Sequence, residues 1–509
     1  VPLAEHQPAG LTLSTRILAW AAAAAIVASV LLMIGISAAG PSAVVPVIPQ
    51  TWPTPPWWLP LHLSHLTATA MVYGAIALGA AGVGCGLVAV RRGARPGSRL
   101  LVMAAISAAA AIAVLTVLPP AGSTDSLSYA AYGRIAALGH SPYVMTPAQL
   151  RAIGDPVGLQ APHNWQNDPS LYGPVATAVQ WVAAKLGGTS IASIVFWLKL
   201  LSALAFGAVT LALDRLLRGD PAARARAHLL WTVNPLMLWA VMAGAHVDGL
   251  GAALGLLGLL IARRASAEGR IGTGRALAAG ALVGAAAGVK IPLALIAIAL
   301  VWSLRRSVKA MAAATAGVAL LLIPGYLIAG SPALADLASR SGNLVTFDSF
   351  WRLFYGPFGY GSEPAGLELF AVVACLAMAA LLAWRVAPGP RDLPAIRPAV
   401  VLTVAWLLVW PLQRPWYDAI AFCLLAVFPA SRLDWLMLIR AVPTAMAVAT
   451  GAGLGVLPDW ASQAVHFIGV SVSRDVRLGA VIMAVLLSAA AAWGFRRPPA
   501  SVAVKPAAS

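Results

Sequence analysis

Residues 91–118 read RRGARPGSRLLVMAAISAAAAIAVLTVL. Arg91, Arg92, Arg95 and Arg99 crowd one short connection. Behind them runs an uncharged apolar stretch of about 20 residues, the length a helix needs to cross a bilayer. The same unit recurs along the chain. Arg215, Arg218, Arg224 and Arg226 fill a second connection, and Arg263, Arg264, Arg270 and Arg275 a third. Arg305, Arg306 and Lys309 follow, then Arg385, Arg391 and Arg397, then Arg432 and Arg440, and finally Arg496, Arg497 and Lys505.

The apolar runs between these clusters predict spanning helices at 16–39, 67–90, 99–118, 190–212, 228–245, 310–330, 367–384, 435–457 and 477–494. Shorter or interrupted spans are predicted at 249–262, 276–289, 291–304, 398–412 and 418–431. That makes about fourteen transmembrane helices. If they alternate, the arginine-rich connections all fall on one side. By the positive-inside rule that side is the cytoplasm, with both termini on it. The run 16–39 is too long for a cleavable signal segment and is read as a retained helix.

Composition agrees. The chain has 509 residues, 60% hydrophobic and 10% charged, against roughly 25% charged in a soluble domain. Its mean hydropathy is +0.83. A soluble multidomain enzyme, a disordered chain and a secreted disulfide scaffold are excluded. Cys85, Cys375 and Cys423 sit within apolar runs and read as small buried hydrophobes. The net charge of +17 is an orientation signal, so no nucleic-acid partner is expected. The fold class is thus an all-α polytopic membrane protein, read as a single integral membrane domain over 1–509.

Most of the acids fall on the opposite, external side, where the connections are long: 40–66, 119–189 and 331–366. Long loops are where function concentrates. Within 119–189, segments 126–138 and 171–188 are predicted as amphipathic helices lying on the outer membrane surface. Counting 171–188 as a span would move the arginines at 215–226 outside.

Asp125 follows Ser123 and Thr124 at the start of the first of these helices. Two readings are open: an N-cap holding a backbone N–H, or a general base at the membrane–water boundary, its basicity raised by partial desolvation. His246 and Asp248 open a later helix as Ala245-His246-Val247-Asp248-Gly249. They read either as an ordinary helix start or as a polar shelf for a ligand. Lys199 and Lys290 interrupt apolar segments, and an intramembrane charge is costly enough to suggest function. The alternatives are snorkelling or a structural ion pair. Arg414 stands in the tight connection Arg414-Pro415-Trp416-Tyr417, as an anion ligand or a membrane-surface anchor. His140, His163 and His466 show no ligand spacing, and no metal site or cofactor is implied.

These elements, taken in order, resemble the polyprenol-phosphate-mannose-dependent α(1→6)-mannosyltransferases of high-G+C bacteria, which have the class C glycosyltransferase fold. The resemblance rests on Asp125 with Tyr129, Ser141-Pro142-Tyr143, Tyr172-Gly173-Pro174, His246-Val247-Asp248, Val289-Lys290 and Pro415-Trp416-Tyr417, over about 90–430. Two positions depart from the family pattern. Ser141 stands where the family has an acid, and Val247 where it has Asn.

The resemblance implies transfer of a mannosyl or related residue from a polyprenyl-phosphate sugar to a lipoglycan or other cell-envelope glycan. It implies an active site on the external face of the plasma membrane, with Asp125 as general base. Donor phosphate and sugar would be met by Lys290, Arg414, His246, Asp248, Tyr129, Tyr143, Tyr172, Trp416, Tyr417 and Lys199. A lipid phosphate is already a good leaving group, so neither metal nor general acid is required. Two other classes fit the hydropathy: a lipid-linked-sugar transporter or flippase, and a non-catalytic envelope-assembly protein. A carrier would hold its polar residues at mid-bilayer, and a scaffold would tolerate loss of Asp125.

Overall fold

The computed structural model describes residues 12–490, apart from 164, 265–268, 341–344, 347–348, 355–365 and 450–456. The described residues are helical and form no β-strand; an isolated bridge joins Thr51 and Thr54. A contiguous apolar core takes in residues from Met33 to Ala484.

A helix stands at each of the fourteen predicted positions, but they differ in length. Six are long and apolar enough to cross a membrane: Leu13–Ala38, His65–Arg91, Ser98–Val117, Ile191–Leu216, Val308–Ala329 and Leu367–Arg385. A seventh crossing would be the pair Pro221–Ala243 and Asp248–Ile261, bent by 117° at the break between them. The prediction of an ordinary span at 228–245 is corrected here. Asn234-Pro235 interrupts the segment, because proline at the first position of a turn supplies no N–H. Thr273–Val289, Ile291–Ser303, Ile396–Val409 and Pro415–Val427 are shorter apolar helices.

The length difference shapes the molecule. The helices of 26 and 27 residues rise about 39–41 Å at 1.5 Å per residue. Asp248–Ile261, with 14 residues, rises only about 21 Å. Each of the shorter helices has one end at an arginine-rich connection. The shorter helices therefore cannot reach as far from that end as the long ones do. Non-helical backbone is tolerated at such depth only where protein or a cavity surrounds it.

Small residues let these helices touch. A Cβ on Gly280 would collide with the backbone carbonyl of Ala314, and one on Gly317 with that of Leu277. The Thr273–Val289 and Val308–Ala329 helices thus cross backbone to backbone, the packing mode that replaces hydrophobic drive within lipid. At the basic end, charge pairs tie the connections together. Arg226 donates to both carboxylate oxygens of Asp434 and to the Phe428 carbonyl. Arg224 pairs with Asp214, and Arg263 with Asp392.

Two further expectations change. Arg440, read as part of a basic connection, is instead buried inside the bundle on the Leu433–Ala449 helix. It donates to Asp418, Gln413 and the Leu407 carbonyl. The helix Asp125–Ala137, expected on the outer membrane surface, lies within the protein. Ser126 to Gly133 and Ile135 are all buried. Pro174–Gly187, which answers to the predicted 171–188 helix, packs against it and against Ile191–Leu216. It keeps Trp181, Val182 and Leu186 exposed. Much of the predicted loop 331–366 lies outside the described residues; the helix Ser331–Arg340 and the turn Phe350–Phe354 are its described parts.

Candidate functional site

The chain leaves the Ser98–Val117 helix at Leu118-Pro119-Pro120 and is then held by backbone bonds. Ala121 N–H donates to the Ala243 carbonyl at 2.9 Å and Gly122 N–H to the Val44 carbonyl at 2.8 Å. These bonds bring Asp125 against the break between the two helices of the bent pair. At that break Ala245 takes φ +56°, a left-handed conformation that an L residue with a Cβ adopts only at a cost. The turn carries His246 inward, where it is 1% exposed.

His246 Nδ1 lies 2.6 Å from the Ala240 carbonyl. A carbonyl only accepts, so Nδ1 carries a proton, and Nε2 faces Asp125, 3.6 Å from Oδ2. The imidazole stacks on Trp416, 3.6 Å between ring centroids, which fixes its plane. The cap reading of Asp125 fails. The N-cap of this helix is Thr124, and Asp125 is the first helical residue. Its N–H donates to Ser123 Oγ at 3.1 Å, while its carboxylate, 18% exposed, points to His246.

The electrostatics also differ from expectation. Burial pushes the Asp125 carboxyl up, as the sequence suggested. The His246 contact and the nearby charges of His246, Arg414 and Lys290 outweigh it and hold the carboxyl below its usual value. The group is therefore an ionised carboxylate at neutral pH.

Tyr129, one turn along the same helix, meets Tyr172 edge to face at 4.9 Å, and the Tyr172 hydroxyl donates to that of Tyr129 at 3.1 Å. Burial and the neighbouring carboxylates push both hydroxyls well up, so they remain protonated donors. Tyr172-Gly173-Pro174 has a structural reason. Gly173 N–H donates to the Val289 carbonyl at 3.1 Å, and a Cβ on Gly173 would strike the Gly288 backbone. Glycine is required for that approach, which brings Tyr172 beside Lys290.

Lys290 breaks the helix as an extended residue between Val289 and Ile291. Its Nζ lies 3.1 Å from Asp248 Oδ1, 4.0 Å from the centre of the Tyr417 ring and 5.6 Å from that of Tyr172. A small pocket beside this pair is closed by Trp406, Tyr417 and Leu293. The Arg414 side chain makes no hydrogen bond or ion pair among the described residues, yet its charge reaches Asp125; the residue is half-buried.

Asp125, Tyr129, Tyr172, His246, Asp248, Lys290, Arg414, Trp416 and Tyr417 thus converge at the ends of the short helices away from the arginine connections. Two predicted residues do not join them. Tyr143 bonds Thr177 Oγ1 at 2.8 Å. Lys199, fully buried, donates to the Leu118 carbonyl at 2.7 Å and so caps the Ser98–Val117 helix. Sequence reasoning missed the left-handed Ala245 and the aromatic stacking that orients His246. It also missed the Arg440–Asp418 pair, which two opposite charges within neighbouring apolar runs could have signalled. Among the described residues no three His, Cys, Asp or Glu side chains cluster as metal ligands.

The family described as alpha-(1->6)-mannopyranosyltransferase, N-terminal domain, matches residues 22–306. The chain belongs to the α-(1→6)-mannopyranosyltransferase family. Asp125, Tyr129, Tyr172, His246, Asp248 and Lys290 all lie in the stretch that carries this membership, whereas Arg414, Trp416 and Tyr417 come from beyond it. The chain is 32% identical over 148 residues to a probable alpha-(1->6)-mannopyranosyltransferase of Mycolicibacterium smegmatis, covering 29% of this chain and 26% of that protein. It is 30% identical over 150 residues to an alpha-(1->6)-mannopyranosyltransferase of Mycobacterium tuberculosis, covering 30% and 25%. It is 28% identical over 184 residues to alpha-(1->6)-mannopyranosyltransferase B of Corynebacterium glutamicum, covering 36% and 30%. The aligned stretch spans less than a third of each relative. No solved structure matches the chain.

Proposed function

We propose that this family member is a membrane glycosyltransferase that moves a mannosyl residue from a polyprenyl-phosphate donor to a hydroxyl of a cell-envelope glycan, on the external face of the plasma membrane. The observation that carries the reading is the ionised Asp125 carboxylate, 3.6 Å from His246 and within the fields of Arg414 and Lys290. An anionic base beside uncommitted positive charge suits a reaction between a neutral alcohol and a lipid phosphodiester.

In the step proposed, Asp125 accepts the acceptor's hydroxyl proton. The acceptor oxygen bonds to the sugar's anomeric carbon while the bond from that carbon to the phosphate oxygen breaks. The phosphate leaves with the electron pair as polyprenyl phosphate. Charge grows on the departing phosphate, and Arg414 is the side chain free to meet it, in a bidentate geometry lysine cannot match. A phosphate arriving there also offsets the charge that depresses Asp125. The carboxylate thus becomes a stronger base only once donor is bound. Lys290, held by Asp248, contributes field and shape, and Tyr129 and Tyr172 offer hydroxyl donors to the sugar.

The test is transfer in vitro from polyprenyl-phosphate mannose, compared with a nucleotide sugar, by the parent and by Asp125→Asn. Transfer from the lipid donor alone, lost in the variant, is expected. Equal use of the nucleotide sugar, or a fully active variant, overturns the reading.

A further inference from the structure

The arginine connections are not all spent on one another. A cavity of about 260 Å³ opens where three of them meet, lined by Arg264, Arg305, Arg306 and Arg397, with Trp302 and Pro394. Among the described residues no carboxylate lines it. The nearest acid described in these connections, Asp392, already pairs with Arg263 at 2.6 Å.

The four guanidinium groups are not equivalent. Arg397 is committed to the carbonyls of Ala383, Val386 and Ala387 at the end of the Leu367–Arg385 helix. Arg305 donates to the Trp302 carbonyl and stacks on the Trp302 ring at 4.7 Å. Arg264 is fixed through its backbone, its N–H donating to the Asp392 carbonyl at 2.8 Å. Neither its side chain nor that of Arg306 has a hydrogen-bond or ion-pair partner among the described residues. Two unpaired guanidinium groups therefore share a cavity whose other cations are tied down as a frame.

The surroundings select the ligand. Ile298 and Trp302 are one helical turn apart on Ile291–Ser303, and both are exposed, at 55% and 59%. They extend an apolar strip from the cavity along the helix. A soluble anion would gain nothing from that strip, whereas an acyl chain would lie on it. The site also stands at the opposite end of this helix from Lys290, so it is not part of the cluster around Asp125.

We infer that this cavity binds the headgroup of an anionic phospholipid from the leaflet on the basic side. Its phosphate oxygens meet Arg264 and Arg306, and an acyl chain lies along Trp302 and Ile298. Guanidinium groups suit phosphate oxygens through paired N–H donors, and basic pockets between membrane helices favour such headgroups. The lipid would tie the 263–275, 305–309 and 391–397 connections together where the described residues supply no free counter-charge.

The experiment uses the full chain in nanodiscs, with native mass spectrometry of retained lipid and thermal unfolding as readouts. The discs contain phosphatidylcholine with or without cardiolipin. The parent is expected to retain cardiolipin and unfold at higher temperature with it. Arg264→Ala/Arg306→Ala is expected to bind it more weakly by about a hundredfold or more, since two charge-assisted contacts go, and to lose the thermal gain. Its unfolding in phosphatidylcholine alone should match the parent, because neither side chain holds the fold. Arg92→Ala/Arg95→Ala, equal in charge, should keep the lipid. Equal loss in that control means general attraction to basic loops and overturns the site. So does undiminished cardiolipin binding by the 264/306 variant. Protection of the parent by inorganic phosphate in phosphatidylcholine discs, equal to that by cardiolipin, overturns the lipid as occupant.

Discussion

Lys290 meets Asp248 across 42 residues of chain, Nζ to Oδ1 at 3.1 Å, at the point where two short helices turn back toward the basic side. The pair is nearly buried, with side chains 15% and 9% exposed. Lysine here is held in place by a carboxylate before any substrate arrives. That separates its structural part from any contact with donor.

The two parts can be told apart. Lys290→Ala or Asp248→Ala alone strands a buried charge and should cost about 3–5 kcal/mol of stability. Lys290→Met with Asp248→Leu should recover much of that loss. If Lys290 also serves the donor, the double variant stays folded while the KM for polyprenyl-phosphate sugar remains raised. A double variant with parent kinetics removes Lys290 from donor recognition.

Asp125→Asn should abolish transfer, by about 10²-fold or more, while the variant still folds, losing only the stability that the ionised carboxylate contributes. No cap bond is lost, because Thr124 occupies the cap and the Asp125 carboxylate faces His246. Initial rates and thermal unfolding of the same preparation decide it. Near-parent turnover would make Asp125 dispensable.

Arg414→Ala should weaken donor use while leaving the fold intact, since its guanidinium has no structural partner among the described residues. Arg414→Lys should rescue little, because a point charge does not replace two parallel donors. Rate against donor concentration reads this directly. Full rescue by lysine would reduce the role to simple charge.

The pH dependence follows from the sign of the Asp125 shift. Its carboxyl lies below the usual value in the folded protein. It stays ionised as pH falls through the ordinary carboxylate range and protonates only below it. Its contribution to stability is accordingly full above the unfolded value and lost as pH falls through the folded one. The acid limb of kcat/KM should lie below the ordinary carboxylate range and move upward in Arg414→Gln, which removes one of the charges that depress the group. A limb that does not move detaches Arg414 from Asp125.

The predicted sidedness needs its own test. Single cysteines at Arg218 and Ile153, in a background without Cys85, Cys375 and Cys423, should react with impermeant reagent from opposite sides of the membrane. Both positions are exposed in the structure. Labelling of both from one side would refute the alternating arrangement.

The sequence alone determined that this is a helical membrane protein and where most of its helices lie. Hydropathy and arginine counts are local properties, and each segment's partition into lipid depends chiefly on its own residues. The motifs around Asp125, Tyr172, His246, Lys290 and Pro415 were legible for the same reason, as short strings. Tertiary structure decided what those strings do together. His246 could be a helix start or a site residue until Ala245 turned left-handed and Trp416 stacked on its ring. Lys290 could snorkel or pair until Gly173 and Gly288 closed on each other beside it. Lys199 and Lys290 both interrupt apolar segments, yet one caps a helix and the other pairs with Asp248. A buried charge takes whichever partner the packing of distant backbones brings within about 3 Å. That distance depends on small residues far apart in the chain, and no window of neighbouring residues encodes it.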